Sequence, residues 1–223
     1  MIEAFVDVKD GLLLDNRYTL CTGYSRMYNV LVVSETPFYL EKALLSLENC
    51  SVTITNDPKQ AADAGFDLYI YDGIYPEEYP QHGAVLQFGT GKLPNGMEAL
   101  AEETTPARLS KLSGSHRLYE GLTLADTTVS TYYPLAGSAK WEKVLTCMLQ
   151  PVCLTGINDM GMRTTVFSFD LHNSNLPMQT DYVVLMKNIV EASVFDLIPG
   201  SDFAVGTNIE LAVLPNAQQM YLE

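Results

Sequence analysis

Residues 29–34 read Asn-Val-Leu-Val-Val-Ser, a short and continuous apolar run of the kind that forms a strand buried on both faces. Pro37 follows closely and suits the first position of a helix. The segment 38–47 then repeats apolar residues one helical turn apart, at Leu40, Ala43, Leu44 and Leu47. Together these features predict a buried strand followed by a helix that covers one face of a sheet.

The same alternation continues along the chain. Strands are predicted at 51–55, 66–71 and 83–88, with a short helix over 57–64 between the first two. Strands and helices that alternate with short links indicate a parallel sheet. The order is similar to that of a flavodoxin-like sheet, in which ligands bind beyond the carboxyl ends of the strands.

The second half returns to strand patterns after an irregular stretch, 92–121, where only short helices are predicted, at 97–102 and 115–120. A turn sequence at 158–161 predicts an antiparallel hairpin on the sheet. The other predictions are strands at 127–133 and 142–148, hairpin strands at 151–157 and 162–169, and a helix over 181–195. The predicted fold class is α/β: a flavodoxin-like, mostly parallel sheet with an antiparallel hairpin, helices on both faces, and β-strand extensions at both ends.

Both ends of the chain have strand patterns that are separate from this body. We expect a β-strand flank over 1–27 from a preceding β-rich domain, the α/β body over 28–197, and a β-strand flank over 198–223 of a following domain. The two flanks are expected to pair with each other or with a second copy of the chain, which would give a homodimer.

Composition narrows the classes of partner. The 223 residues include 13 Lys and Arg against 27 Asp and Glu, a net charge of −14, which disfavours nucleic acid and anionic membranes. No apolar run of about 18 residues is present, so no segment of this sequence is expected to span a membrane. The cysteines and histidines are scattered without a C-x-x-C pair, so no metal site and no cofactor are expected, and free thiols are favoured over disulfides.

The segment 169–175 is the most suggestive for chemistry. It brings a carboxylate, an imidazole, a hydroxyl and two amides to the end of a predicted strand, at Asp170, His172, Ser174, Asn173 and Asn175. Such groups can act as acid, base or nucleophile, and Asp170 and His172 can share one side of a strand. The alternative is that Asp170, Asn173 and Asn175 cap turns and backbone ends.

Other candidate residues end neighbouring strands at the same edge. The Asp72 carboxylate could face His172 across the crevice beyond the carboxyl ends of the strands. Asp-Gly is also an ordinary turn sequence. Ser34 precedes a helix N-terminus, where an anion can bind, although Glu35 disfavours one there.

A glycine-rich turn ends the fourth predicted strand. Gly89, Thr90 and Gly91 either let backbone amides approach a ligand or form a tight turn. The turn is too short to be a phosphate-binding loop, because neither nucleotide-binding glycine motif is present.

Several segments resemble one family. They are 15–18, 30–34 with 38–44, 69–73, 116–122 and, most specifically, 169–177, which reads Phe-Asp-Leu-His-Asn-Ser-Asn-Leu-Pro. Over most of 10–197 the chain resembles bacterial membrane proteins with a von Willebrand factor A domain, of the aerotolerance-operon (Bat-like) type. In these proteins, a module similar to class I glutamine amidotransferases follows the von Willebrand domain.

The resemblance implies an amidotransferase-like fold, and a membrane-associated, extracytoplasmic parent protein anchored by helices outside this sequence. It does not imply glutaminase activity, because the turn at 89–91 holds no Cys. In addition, Ser174 stands two residues after His172, where the family has an acidic residue. The resemblance therefore indicates a degenerate site.

Three functions are consistent with these patterns. The favoured one is a non-catalytic interaction or ligand-sensing module of a cell-envelope protein, with protein partners or other domains of the parent chain. The alternative is a hydrolase or amidotransferase-like enzyme that uses Asp72, Asp170, His172 and Ser174, and it needs a hydroxyl within hydrogen-bond reach of His172. A structural spacer is the third, and it would lack a polar pocket at the strand ends.

Overall fold

The computed structural model describes residues 2–5, 17–20, 27–61, 65–112 and 114–193. Its strands are β1 (Ile2–Phe5), β2 (Arg17–Leu20), β3 (Tyr28–Ser34), β4 (Cys50–Thr55), β5 (Leu68–Asp72), β6 (Ala84–Phe88), β7 (Met97–Ala99), β8 (Ala107–Lys111), β9 (Thr128–Val129), β10 (Leu135–Gly137), β11 (Trp141–Cys147), β12 (Gln150–Ile157) and β13 (Arg163–Phe167). Its α-helices are α1 (Phe38–Leu45) and α2 (Thr180–Ser193).

The chain divides into two units. Met27–Val194 forms one, and Met1–Arg26 with Phe195–Glu223 forms the other. In the second unit, β1 and β2 pair antiparallel, with Ile2 opposite Leu20. The predicted β-strand flank over 198–223, and therefore the predicted pairing between the two flanks, lie outside the described residues.

A nine-stranded sheet organises the larger unit. Its order is β4-β3-β5-β6-β13-β12-β11-β8-β9. The first five strands are parallel, and in chain order they run 2-1-3-4-5, the order of flavodoxin-like sheets. The remaining pairings are antiparallel, starting with the predicted hairpin between β12 and β13. The predicted α/β class is therefore confirmed, and the antiparallel part extends beyond the predicted hairpin.

The two faces of β3 belong to different hydrophobic clusters. Val30 and Val32 point to the face on which α1 and α2 both pack. Leu31 and Val33 point to the other face, where residues of the loop after β5 cover them. The prediction of helices on both faces is therefore wrong for the described residues. Within the predicted helix over 57–64, the described residues 57–61 contain a 3₁₀ turn, Pro58–Ala61. The segment carries no large apolar side chain that would hold a helix against the sheet.

The irregular stretch 92–121 contains a second correction. Residues 97–99 form strand β7, paired with β10, rather than part of a helix over 97–102. The buried Met97 packs with Leu135 and Trp141, so tertiary burial overrides a weak local preference. Within the predicted helix 115–120, the structure has a 3₁₀ turn, Arg117–Tyr119.

Close packing of Trp141 against β12 depends on Gly156. A Cβ at Gly156 would lie 2.5 Å from the Lys140 carbonyl oxygen and 2.7 Å from Trp141 Cε3. We expect Gly156→Ala to lower the free energy of unfolding by about 2–3 kcal/mol, since overpacking forces backbone to move. Urea denaturation measures this. Gly65→Ala, whose nearest neighbour would lie 3.6 Å away, is the control. Equal stability of the two variants would contradict the packing argument.

The β11–β12 hairpin turns through Met148 and Leu149, which both have positive φ angles of 50° and 67°. Their side chains are 68% and 90% exposed. A turn with two positive φ angles favours Asn-Gly. We expect Met148→Asn with Leu149→Gly to raise the free energy of unfolding by about 1 kcal/mol, because left-handed backbone is strained for other residues.

The matched control for the turn is Met148→Ser with Leu149→Ser. This pair removes the same exposed apolar surface but keeps the strained backbone, so urea denaturation should show little gain. A fall in stability of the Asn-Gly variant would show that the two native side chains make a stabilising contact.

Candidate functional site

The carboxyl ends of β3 and β5 meet at the point where the strand order of the parallel sheet reverses. From β3 the chain continues to β4 on one side, and it then crosses to β5 on the other side. Ser34 and Asp72, the last residues of β3 and β5, lie opposite each other in the register. In open α/β sheets this switch point is where ligands bind.

Ser34 and Asp72 form a buried pair. The Ser34 hydroxyl donates a 2.8 Å hydrogen bond to Asp72 Oδ2, and it accepts a 3.0 Å hydrogen bond from the Thr36 amide. Asp72 is only 6% exposed. Burial raises the pKa of Asp72, and the Asp170 charge adds to this rise, whereas the bond from Ser34 and the charge of His172 lower it. The hydrogen bond from Ser34 therefore does not fully offset the free-energy cost of burying the Asp72 carboxylate.

Asp170 and His172 form a second pair beside the first. A 3₁₀ turn, Leu171–Asn173, begins just after β13, and Asp170 caps it by accepting the His172 amide at 2.7 Å. The same carboxylate oxygen lies 3.0 Å from His172 Nδ1. The imidazole also contacts the Tyr39 ring of α1, with centroids 5.2 Å apart. Asp170 and Tyr39 together orient the exposed imidazole.

Tyr182, in the first turn of α2, is a further buried polar residue whose pKa responds to the charge of Asp72. Its hydroxyl is buried and has no hydrogen-bond partner among the described residues. Burial raises the pKa of Tyr182, and the negative charge of Asp72 raises it further. Buried polar groups in native proteins are almost always bonded, so the unbonded Tyr182 hydroxyl marks a place for a ligand group or a water.

The glycine turn at the end of β6 is approached by a side chain of the same protein. The Tyr75 hydroxyl donates a 2.8 Å hydrogen bond to the Phe88 carbonyl. A Cβ at either Gly89 or Gly91 would overlap the Tyr75 side chain. The Tyr75 side chain therefore occupies the space that the glycines on either side of Thr90 leave open.

The polar residues after His172 bond to backbone. The Ser174 hydroxyl donates to the Leu171 carbonyl at 3.0 Å. The Asn175 side chain accepts from the Thr128 amide at 2.7 Å, and the Asn173 carbonyl accepts from the Ser130 amide at 2.7 Å. These bonds hold the segment against β9, and no hydrogen bond links His172 to Ser174 or Asp72 in the described part of the chain.

Three cysteines lie in the described part of the chain, and none of them belongs to the two pairs above. Cys50, Cys147 and Cys153 are free thiols. Burial raises the pKa of Cys147 to about 12, and burial also raises the pKa of Cys50 and of Cys153. A nucleophilic cysteine needs the opposite shift, toward a thiolate near neutral pH.

The structure therefore brings together Ser34, Asp72, Asp170 and His172, which lie on three different strand ends or turns. Sequence reasoning missed Tyr182 as a site residue. The available signal was its place on the apolar stripe of α2, with Leu185 and Ile189, where a phenol brings a polar atom into a buried position.

Two features are absent from the described residues. They contain no group of three or more His, Cys, Asp or Glu side chains arranged to hold a metal ion. None of their helices is long and apolar enough to cross a bilayer.

Comparison with known proteins identifies fold relatives only. No protein-family model and no curated protein matches the sequence. The cytoplasmic protein STM1381 of Salmonella typhimurium LT2 is similar in structure, with a TM-score of 0.58 at 10% identity, over 75% of this chain and 100% of that one. The cytoplasmic protein STM3548 of Salmonella typhimurium has a TM-score of 0.56 at 11% identity, over 75% of this chain and 99% of that one.

The comparison corrects one sequence-based prediction. Both structural relatives are named cytoplasmic proteins, so the prediction of a membrane-associated, extracytoplasmic parent protein is wrong. At these identities the likeness extends to the fold and not to a function. The resemblance to amidotransferase-like modules stays a prediction.

Proposed function

We propose that this chain is a non-catalytic ligand-binding module that takes a small cationic molecule at the carboxyl ends of β3 and β5. The observation that carries the proposal is the buried Asp72 carboxylate, which accepts a hydrogen bond from Ser34 and whose charge raises the pKa of the unbonded Tyr182. A buried carboxylate and a buried phenol without a hydrogen-bond partner are each costly in the free protein. A ligand with an ammonium group would compensate both, by pairing with Asp72 and donating to Tyr182.

The surroundings favour a positive ligand. The Asp170 carboxylate adds a second negative charge that acts on Asp72, and the charge of His172 offsets part of it. The Tyr39 ring packs beside His172 and offers an aromatic face of the type that attracts cations. The net charge of −14 adds a long-range field that concentrates cations around the protein.

An acid–base enzyme is the second candidate, and the Asp170–His172 pair favours it. A hydrolase would need a hydroxyl that gives its proton to His172. The Ser34 hydroxyl instead donates to Asp72, and the Ser174 hydroxyl donates to the Leu171 carbonyl. Turnover of p-nitrophenyl acetate that disappears in His172→Ala would support the enzyme and overturn the binding proposal.

The binding test compares three linear molecules with equal chain length and different charge: putrescine, 1,4-butanediol and succinate. We expect putrescine to shift the amide NMR signals of Ser34, Asp72 and His172, and to bind at least about tenfold more tightly than the diol, a difference of about 1.4 kcal/mol. We expect succinate not to bind at this crevice.

Two variants assign the effect to the crevice. Asp170→Asn removes the outer carboxylate and should weaken putrescine binding about threefold to tenfold, as for a partly exposed charge. Asp126→Asn, at an exposed carboxylate, should leave the affinity unchanged. Equal loss in both variants, or equal affinity for putrescine and succinate, would contradict the proposal.

A further inference from the structure

The two edges of the nine-stranded sheet end differently. At one edge, β9 is two residues long, and the segment 173–175 bonds along its outer side, where the Asn175 amide donates to the Thr128 carbonyl at 3.1 Å. At the other edge, β4 pairs only with β3 among the described residues. The chain itself therefore closes the edge at β9, whereas the described residues leave the edge at β4 open.

The open edge strand has none of the usual features that protect a sheet edge. β4 is six residues long and reads Cys-Ser-Val-Thr-Ile-Thr, without a charged residue or a proline. Its Ile54 side chain is 39% exposed. Natural proteins keep edge strands short, charged, kinked or covered, because unpaired N–H and C=O groups are a template for another strand. In a protein with a net charge of −14, an uncharged edge is also a place where a second copy meets little local repulsion.

The outward backbone groups of β4 belong to Val52 and Ile54. The Asn49 carbonyl accepts a 2.7 Å hydrogen bond from the first amide of β3, so the Asn49 backbone faces β3. Backbone groups alternate in direction along a strand. Val52 and Ile54 therefore direct their N–H and C=O groups away from β3, whereas Thr53 directs its own groups toward β3.

The two faces of β4 carry different side chains. In the register with β3, Val52 and Ile54 lie on the face on which α1 and α2 pack. Ser51, Thr53 and Thr55 lie on the opposite face. A two-fold axis perpendicular to the sheet pairs two copies of β4 antiparallel with like faces together. Apolar side chains then meet apolar ones, and hydroxyls meet hydroxyls, so the strand is complementary to a second copy of itself.

We propose that the open edge of β4 is a homodimer interface, in which two copies pair antiparallel about a two-fold axis at Thr53 and join their sheets. In this register, Val52 of each copy lies opposite Ile54 of the second copy, and the two residues exchange both backbone hydrogen bonds. A register centred on Val52 would instead set Ile54 opposite Cys50, whose amide already donates to a carbonyl of the preceding turn. Two-fold dimers are the commonest protein oligomers.

Sedimentation velocity of the full chain over a concentration series tests the association. One strand pair is a small interface, so we expect a monomer–dimer equilibrium with a dissociation constant of about 1–100 µM. Thr53→Lys should weaken the dimer at least about tenfold, because the two lysines would lie directly opposite each other across the axis. Thr128→Lys is the matched control on the closed edge strand β9, and it should dimerise as the wild type does.

Substitution of Thr53 by Cys tests the register. Residues that face each other in a non-hydrogen-bonded antiparallel pair have Cα atoms about 4.5 Å apart, within the range of about 4.4–6.8 Å that a disulfide spans. Under oxidised glutathione, we expect Thr53→Cys to give a disulfide-linked dimer on non-reducing gels. The wild type, with its native thiols, and Thr128→Cys are the controls, and they should give less of this product.

Three results would overturn the proposal. The first is a chain that stays monomeric throughout the series, which would leave this edge to a strand of another protein. The second is a dimer that Thr53→Lys weakens no more than Thr128→Lys does, because another surface would then join the copies. The third is crosslinking of Thr53→Cys that does not exceed that of Thr128→Cys. Thr53 is exposed, so its variants should keep the fold, and circular dichroism checks this.

Discussion

Replacing Asp72 by Asn is expected to stabilise the protein near neutral pH and, at the same time, to weaken putrescine binding about tenfold to a hundredfold, as for loss of a charged hydrogen-bond partner. The Asn side chain has the same shape and can still accept the hydrogen bond from the Ser34 hydroxyl. It removes a buried negative charge, which is costly without a partner. A gain of stability with a loss of binding distinguishes a binding residue from a structural one.

The sign of the pH dependence follows from the raised pKa of Asp72. A carboxyl whose pKa is higher in the folded state favours folding when it is protonated. Its contribution is full below about pH 4, the range of an Asp in an unfolded chain, and it is lost as pH rises through the folded pKa. The stability difference between Asp72→Asn and the wild type should therefore be small in acid and should grow toward neutral pH.

Urea denaturation between pH 4 and 8, on the order of one pH unit per step, measures that difference. The control is Asp126→Asn, which makes the same change of net charge at an exposed position. Subtracting the stability change of this control removes the general effect that pH and the loss of one negative charge have on a protein with a net charge of −14. A destabilised Asp72→Asn, or one that binds putrescine as well as the wild type does, would contradict the assignment.

Replacing Phe167 by Ala is expected to cost about 3–5 kcal/mol of unfolding free energy. Phe167 is fully buried, its ring stacks on Phe88 with centroids 5.0 Å apart, and it meets Phe169 edge-on at 5.8 Å. It ends β13, which pairs parallel with β6 and antiparallel with β12. The cavity left by this change would therefore lie where the parallel and antiparallel parts of the sheet join.

Urea denaturation of Phe167→Ala measures the cost, with Met178→Ala, at a largely exposed position, as the control within about 0.5 kcal/mol of wild type. Because Asp170 and His172 follow β13 directly, the variant should also weaken ligand binding at the crevice. A cost below about 1 kcal/mol would mean that the aromatic cluster is not a cooperative part of the core.

Local sequence patterns predict which residues lie at the site, but not which bonds they form. Ser34, Asp72, Asp170 and His172 were candidates from sequence because each follows a strand pattern, and strand ends of a parallel sheet meet at one edge. Their actual bonds were not predictable. Asp170 bonds to His172 within one turn, whereas Ser34 bonds to Asp72 across 38 residues of chain.

Sequence reasoning leaves the outcome open where a side chain has two possible partners. Ser174 is a plausible nucleophile in the sequence, yet its hydroxyl bonds to a carbonyl three residues earlier. The glycines on either side of Thr90 could admit a ligand, and Tyr75 approaches them instead. In each case the choice between ligand and protein partner is made by packing, which a local pattern does not contain.

The sequence by itself determined strands β3 to β6 and the helices α1 and α2, because apolar periodicity, proline at a helix start and turn residues act over a few positions. Only the tertiary structure decided that both α-helices lie on one face, that 97–99 is a strand, and that β13 joins the parallel and antiparallel parts of the sheet. It also decided that the Ser34 hydroxyl donates its hydrogen bond to Asp72. These outcomes depend on which residues, distant in sequence, are buried together. The free energy of that burial is a property of the whole fold rather than of any one segment.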